Sequence, residues 1–273
     1  MNEVLEKYFS KEDINKLLKN LNNKQRTNII NNNYFVKIGK NSNELFFNNL
    51  KKELLLYQNN KDNINLPKLI DYYLDDNICL IILEKIYATV LGKSRNKFSL
   101  YLSNKKRINI ANSILKIKDI KINLSLDNSY NRKEKLDKYL EKTKNYINNQ
   151  TYNNIISLKD KITKEQLDRV ISHGDLISPN IMINEDKIYF IDWEYISLKP
   201  KYYDLVYFLL FSKKRHSIDL LYKMNMNKSE IEEALKDGII ICLKEISNNI
   251  KYLNNRNINR WKKELNYILS RIM

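Results

Sequence analysis

Two short apolar runs, Ile181-Met182-Ile183 and Ile188-Tyr189-Phe190-Ile191, lie either side of Asn184-Glu185-Asp186. Apolar residues of strand type around a turn-forming polar cluster predict a β-hairpin. A hairpin brings its outer ends together. Asn180 precedes the first run and Asp192 follows the second, so the two should become neighbours. His173-Gly174-Asp175 sits on the loop leading in, with Asp175 five positions before Asn180 and Pro179 fixing the backbone between them. This stretch, Ile171 to Glu194, holds three polar side chains in apolar frames, and the rest of the chain is organised around it.

Such an arrangement suits phosphoryl transfer. That reaction needs a carboxylate to receive the proton of an attacking hydroxyl, and oxygen ligands to hold Mg²⁺ against nucleotide phosphates. Asp175 is the candidate base, with Asn180 and Asp192 the candidate metal ligands. The spacing H-x-D-x-x-x-x-N followed by a strand-terminal Asp is that of a kinase catalytic loop, with Gly174 where protein kinases usually carry Arg. HGDLISPN together with IDWE resembles the aminoglycoside phosphotransferase and choline kinase family, small-molecule kinases with a protein-kinase-like fold.

The resemblance extends from residue 34 to about residue 211 and implies roles for further residues. In Tyr34-Phe35-Val36-Lys37-Ile38, Lys37 matches the strand lysine that contacts the α- and β-phosphates and pairs with a helix glutamate. Phe46, Leu50, Leu54 and Tyr57, at spacings of 4, 4 and 3, mark an amphipathic helix over residues 43 to 58. Glu53 lies on or beside that stripe, whereas Glu44 falls about 180° away at 100° per residue. Glu53 is therefore the expected partner of Lys37. Residues 68–73 and 78–83 read as two strands around Asp75-Asp76-Asn77. After them, Glu84-Lys85-Ile86 resembles the hinge whose backbone reads the base. The nucleotide-covering hairpin is expected within Asn22 to Asn33, where Gln25-Arg26-Thr27-Asn28 replace the usual glycines; the whole chain has only four glycines.

The expected fold is α+β and bilobal. Residues 1–86 form a small lobe, an antiparallel sheet with helices from residues 2 to 21. Residues 87–273 form a larger, mainly helical lobe. Helices are expected over 104–120, 131–149 and Lys164 to Arg169, with little pattern in Thr151 to Asp160. Asp204, twelve residues after Asp192, opens another helix and by resemblance braces the catalytic loop from below. That interval is too short for a protein-kinase activation segment, which argues for a small-molecule acceptor. Glu230, Glu232, Glu233 and Asp237, with Tyr252, Trp261 and Tyr267, fall where the family builds part of its acceptor pocket; at helical spacing they equally read as solvated face and core.

Composition excludes more than it assigns. The net charge is +16, but the lysines are spread along a chain rich in Asn, Ile and Tyr, and no clustered arm or recognition motif points to nucleic acid. Two cysteines and two histidines cannot assemble a zinc site. Cys79 and Cys242 sit in apolar runs and read as buried thiols, which fits a reducing compartment. No apolar run approaches the roughly 20 residues of a membrane span, and MNEVLEKYF lacks a signal-peptide pattern, so a cytoplasmic protein is expected. The whole reading is a Mg²⁺- and nucleotide-dependent kinase, using ATP or GTP, that acts on a hydroxyl of a small molecule. Aminoglycosides, choline or ethanolamine, and sugars are the open acceptors. A pseudokinase that only binds is the rival reading.

Overall fold

In the computed structural model, the described residues are all except 25, 61–64, 95–96, 99–101, 121, 123–125, 165–168, 186 and 213–215. They form two compact units. The first comprises Met1–Leu91, Asp119–Leu126 and Asn180–Ile196, and the second the remainder. The first unit therefore takes in a hairpin from far along the chain as well as the N-terminal lobe expected over residues 1–86.

The first unit opens with helices α1 (Asn2–Glu6) and α2 (Lys11–Lys24), followed by strands β1 (Arg26–Ile30) and β2 (Tyr34–Lys40), helix α3 (Glu44–Asn59), and strands β3 (Leu69–Leu74), β4 (Ile78–Glu84) and β5 (Thr89–Val90). The four long strands form one antiparallel sheet in the order β1-β2-β4-β3. Side chains alternate across a strand, and here the alternation has a consequence. Val36 and Ile38 on β2, with Leu80 and Ile82 on β4, are buried against Leu5, Phe9, Leu17 and Leu21 of the N-terminal segment. Phe35, Lys37 and Leu83 take the other set of positions and line a cavity.

The β1–β2 hairpin has its first strand and its turn within the expected Asn22 to Asn33, and Asn28 lines the same cavity. Arg26, Thr27 and Asn28 lie on β1 itself, paired with Gly39, Ile38 and Lys37, while Gln25 lies outside the described residues. The turn is Asn31 to Asn33. It forms without glycine because the Asn31 side-chain oxygen accepts from the backbone N–H groups of Asn33 at 2.9 Å and Tyr34 at 2.7 Å, an Asx-type turn. Its far end is tied to the hinge: Lys85 N donates to Asn33 O at 2.8 Å, and the Tyr87 hydroxyl donates to Asn32 O.

In the second unit, strands β6 (Gly92–Ser94) and β7 (Lys97–Phe98) lead to helices α4 (Asn104–Leu115), α5 (Arg132–Thr143), α6 (Asn149–Ser157) and α7 (Lys159–Thr163), then strand β8 (Arg169–Ser172). The stretch Thr151 to Asp160 is thus helical rather than patternless. Asn148 caps α6 by accepting from Thr151 N, and Ile155 is its fully buried anchor. Arg169 belongs to β8, and the rest of the helix expected over 164–169 lies outside the described residues.

The hairpin of β9 (Ile181–Asn184) and β10 (Lys187–Phe190) pairs Ile181 with Phe190 and belongs to the first unit. Phe190 N donates to Asn65 O at 2.9 Å, Leu91 N donates to Ile181 O at 2.9 Å, and β5 pairs with β9. The chain then returns to the second unit through β11 (Ser197–Pro200), antiparallel to β8, and helices α8 (Tyr203–Phe211), α9 (Lys228–Ile250) and α10 (Asn255–Ile272). α8 is buried along its whole length, as its eight apolar or aromatic residues around Asp204 dictate. A buried ion cluster joins α5 to α9: Arg132 lies 3.1 Å from both Glu233 and Asp237. Glu230 completes a capping box with Asn227. The acidic residues of 230–237 therefore serve α9 and its packing. Cys79 and Cys242 are free and buried, and burial pushes the Cys79 thiol up to about 12. Among the described residues no helix is long and apolar enough to cross a membrane.

Candidate active site

The centre of the first unit is a buried lysine between two carboxylates. Lys37 Nζ donates to Glu53 Oε1 at 2.9 Å and Oε2 at 2.8 Å, and to Asp192 Oδ1 at 2.6 Å. Burial works to lower the Lys37 pKa, but Glu53 and Asp192 prevail and hold it above the ordinary lysine value. Glu53 is wholly buried on α3. It also accepts from the Tyr57 hydroxyl at 3.1 Å and from Trp193 N at 3.3 Å. The buried stripe of α3 is Phe47, Leu50, Leu54 and Tyr57, one residue off the expected Phe46, and Glu53 lies within it.

Asp192 comes directly after the β9–β10 hairpin with φ 68°, in the left-handed region that Asp tolerates better than most residues. This backbone costs of order 1–3 kcal/mol and persists where the surroundings over-determine it; here Lys37 grips the side chain. Asn180 stands at the other end of the hairpin, its carbonyl accepting from Ile191 N at 3.0 Å. Asn180 and Asp192 both line the cavity that Lys37 enters.

That cavity has a volume of about 450 Å³, within the usual range for small-ligand sites. Its apolar walls include Phe35, Leu83, Met182 and Ile191, and its hinge side is Glu84, Lys85 and Ile86. The Glu84 carboxylate is occupied by Lys68 N at 3.0 Å, and Glu84 N donates to Lys68 O at 2.9 Å. The donors at the polar end, one amide and one carboxylate, are hard oxygen ligands of the kind that Mg²⁺ shares with phosphate and water. The cavity can thus hold a flat apolar group at one end and an anion with a divalent ion at the other.

Asp175 belongs to the second unit. Its Oδ1 accepts from the Tyr207 hydroxyl of α8 at 3.1 Å. The loop ahead of it is held by Asp204, which accepts from Ser172 Oγ at 2.9 Å, His173 N at 2.7 Å and Gly174 N at 3.2 Å. Gly174 has φ 84°, which a side chain there would oppose. Lys199 Nζ donates to Gly174 O at 3.3 Å from β11. Its pKa is lowered to about 8, by burial first, with Lys244 and Lys135 adding to the effect and Asp204 and Asp175 opposing it.

Sequence reasoning named Lys37, Glu53, Glu84, Ile86, Asn180 and Asp192, all six in or against the cavity of the first unit, and Asp175, which belongs to the second. It placed Tyr57 on the buried stripe without giving it a role at the site, and gave no role to Tyr207 or Lys199. The contact of Tyr57 with Glu53 was findable, because a residue four after Glu53 shares its helix face. Lys199, between Leu198 and Pro200, carried no signal.

Residues 123–223 match the profile of the family described as "Phosphotransferase enzyme family", less than half of the chain. No curated protein matches the sequence. Among solved structures, the chain is similar to the GDP complex of aminoglycoside 2'-phosphotransferase-IIIa, with TM-score 0.60 at 12% identity over 92% of this chain and 91% of that one. It is also similar to the choline kinase LicA of Streptococcus pneumoniae, with TM-score 0.59 at 18% identity over 96% and 100%. A third is aminoglycoside phosphotransferase APH(4)-Ia in complex with ADP and hygromycin B, with TM-score 0.57 at 8% identity over 94% and 97%. The resemblance read from the catalytic stretch therefore holds: the chain has the protein-kinase-like fold of the aminoglycoside phosphotransferases and choline kinases, and residues 123–223 carry the sequence signature of phosphotransferase enzymes.

Proposed function

We propose that this protein is a small-molecule kinase that transfers the γ-phosphoryl group of a nucleoside triphosphate, ATP or GTP, to an alcohol. The observation that carries the reading is the buried Lys37 ammonium held between Glu53 and Asp192, lining a cavity that Asn180 also lines. A lysine fixed in this way places a positive charge where phosphates must lie, and the apolar walls suit a purine. Asn180 and Asp192 would hold Mg²⁺, which supplies charge neutralisation between the phosphates. Asp175, steadied by Tyr207, would orient the acceptor hydroxyl and take its proton. Little covalent work then falls to the protein, and positioning with charge neutralisation sets the rate.

The nucleotide complexes among the structural neighbours support this reading, since they hold GDP and ADP. The test is calorimetric titration of the protein with non-hydrolysable ATP and GTP analogues, with and without Mg²⁺. One analogue should bind, and binding should weaken in Lys37→Met and depend on Mg²⁺ through Asn180 and Asp192. Failure to bind either would remove the kinase reading.

A further inference from the structure

The groups that surround Asp175 in the second unit bear on which alcohol it serves, an inference that rests on the kinase reading. Tyr203 and Tyr207, one turn apart on α8, stack with ring centroids 5.8 Å apart. Lys199 of β11 has its ammonium 4.3 Å from the centroid of Tyr203, and Lys244 of α9 has its own 5.4 Å from the centroid of Tyr207. The stack runs on from Tyr207 to Phe211, 4.8 Å away, and the Tyr207 hydroxyl donates to Asp175. Two cations from separate elements thus cover the rings that lead to the candidate base. We propose that Lys199 and Lys244 form an oxyanion-binding subsite beside Asp175, so that the acceptor is a small alcohol that also bears a phosphate or carboxylate group.

The carboxylates nearby are engaged within the fold. Asp204 is occupied by Ser172, His173 and Gly174. Asp237 is paired with Arg132, and Glu245 accepts from Asn248 and faces Tyr139 and Tyr203. Lys135 of α5 adds a third cation near Lys199. Burial first of all disfavours the Lys199 ammonium, Lys244 and Lys135 add to this while Asp204 and Asp175 act in the opposite sense, and an arriving anion would offset the burial cost that a cationic acceptor would not. In the transfer itself, the acceptor oxygen bonds to the γ-phosphorus as the bond from that phosphorus to the β–γ bridging oxygen breaks. The nucleoside diphosphate leaves with the bonding pair, and the hydroxyl proton passes to Asp175. The product is a phosphate monoester that keeps its original anionic group.

The test reads the lysines directly on the full chain, by acetylation with a water-soluble active ester and peptide mass spectrometry. Glucose 6-phosphate, glycerol 3-phosphate, D-glycerate, choline and kanamycin are each added with and without a Mg²⁺-bound non-hydrolysable nucleotide. Nucleotide binding and phosphoryl transfer are measured in parallel. At least one anionic alcohol should protect Lys199 and Lys244 and accept phosphate, with the phosphate and carboxylate arms separating the two anion types. Lys244→Met should lower its kcat/KM about 10-fold or more, with nucleotide affinity retained and partial rescue in Lys244→Arg. Protection without any nucleotide binding would keep the subsite and remove the kinase reading. Nucleotide binding without protection by any anionic alcohol would overturn the subsite and leave the kinase reading standing. Protection by the nucleotide alone would overturn it too, since the lysines would then hold the γ-phosphoryl group, as would preferred transfer to choline or kanamycin.

Discussion

Lys37 and Asp192 are 155 residues apart in the chain and are joined by a 2.6 Å ion pair inside the first unit. The pair ties β2 to the end of the β9–β10 hairpin. It places the lysine and the candidate metal carboxylate at one spot, with Glu53 as the third member.

Removing Lys37 should therefore cost stability as well as binding. Lys37→Met leaves Glu53 wholly buried, with only the Tyr57 hydroxyl and Trp193 N among the described residues to satisfy it. Breaking a buried pair in this way costs about 3–5 kcal/mol, which urea denaturation will read. The double variant with Glu53→Gln should recover much of that loss while nucleotide binding stays impaired. Equal stability in all three proteins would show that the pair contributes nothing to the fold.

Asp204→Asn should loosen the catalytic loop. An amide has one acceptor oxygen where the carboxylate has two, so Ser172 Oγ, His173 N and Gly174 N cannot all be served. A loss of about 1–3 kcal/mol is expected. Hydrogen exchange should rise at His173 and Gly174, while calorimetric nucleotide affinity changes little.

Arg132→Met tests the α5–α9 cluster. It leaves Glu233 with Lys236 and Asp237 without its guanidinium partner, both buried. A loss of about 3–5 kcal/mol is expected, with nucleotide affinity of the folded protein unchanged. Altered acceptor preference instead of lost stability would assign these acids to the acceptor pocket.

The hairpin end of the site was readable from the chain alone because its signals are local. Two apolar runs, a turn and the five-residue step from Asp175 to Asn180 require no long-range information, and the Glu53 helix face follows from periodicity. Two other features were not readable. The turn of the β1–β2 hairpin is an Asx-type turn at Asn31, of which the glycine count gave no hint, although Asn28 from the expected loop does line the cavity. Lys199 matters only through tertiary neighbours on α5, α8 and α9, which no spacing in its own strand reveals.

Those neighbours also set a pH dependence. Lys199 titrates at about 8 in the folded chain, below its ordinary 10.5, because burial disfavours the ammonium. Between these values the unfolded chain binds more protons than the folded one, so this group makes stability rise with pH from about 8 to 10.5. Urea midpoints at pH 7.5 and 9.5 should shift in favour of the wild type relative to Lys199→Met as the pH rises. An unchanged difference would place Lys199 in ordinary solvent.

Phosphoryl transfer is the decisive experiment. γ-Labelled ATP or GTP with Mg²⁺ is incubated with pools of anionic, neutral and cationic alcohols, beside Asp175→Asn. Label should move to one pool, and the variant should be slower by about 10²–10⁴-fold with its nucleotide affinity intact. Nucleotide binding with no transfer to any pool, or transfer that Asp175→Asn leaves undiminished, would contradict the assignment of this protein as a kinase that works through Asp175.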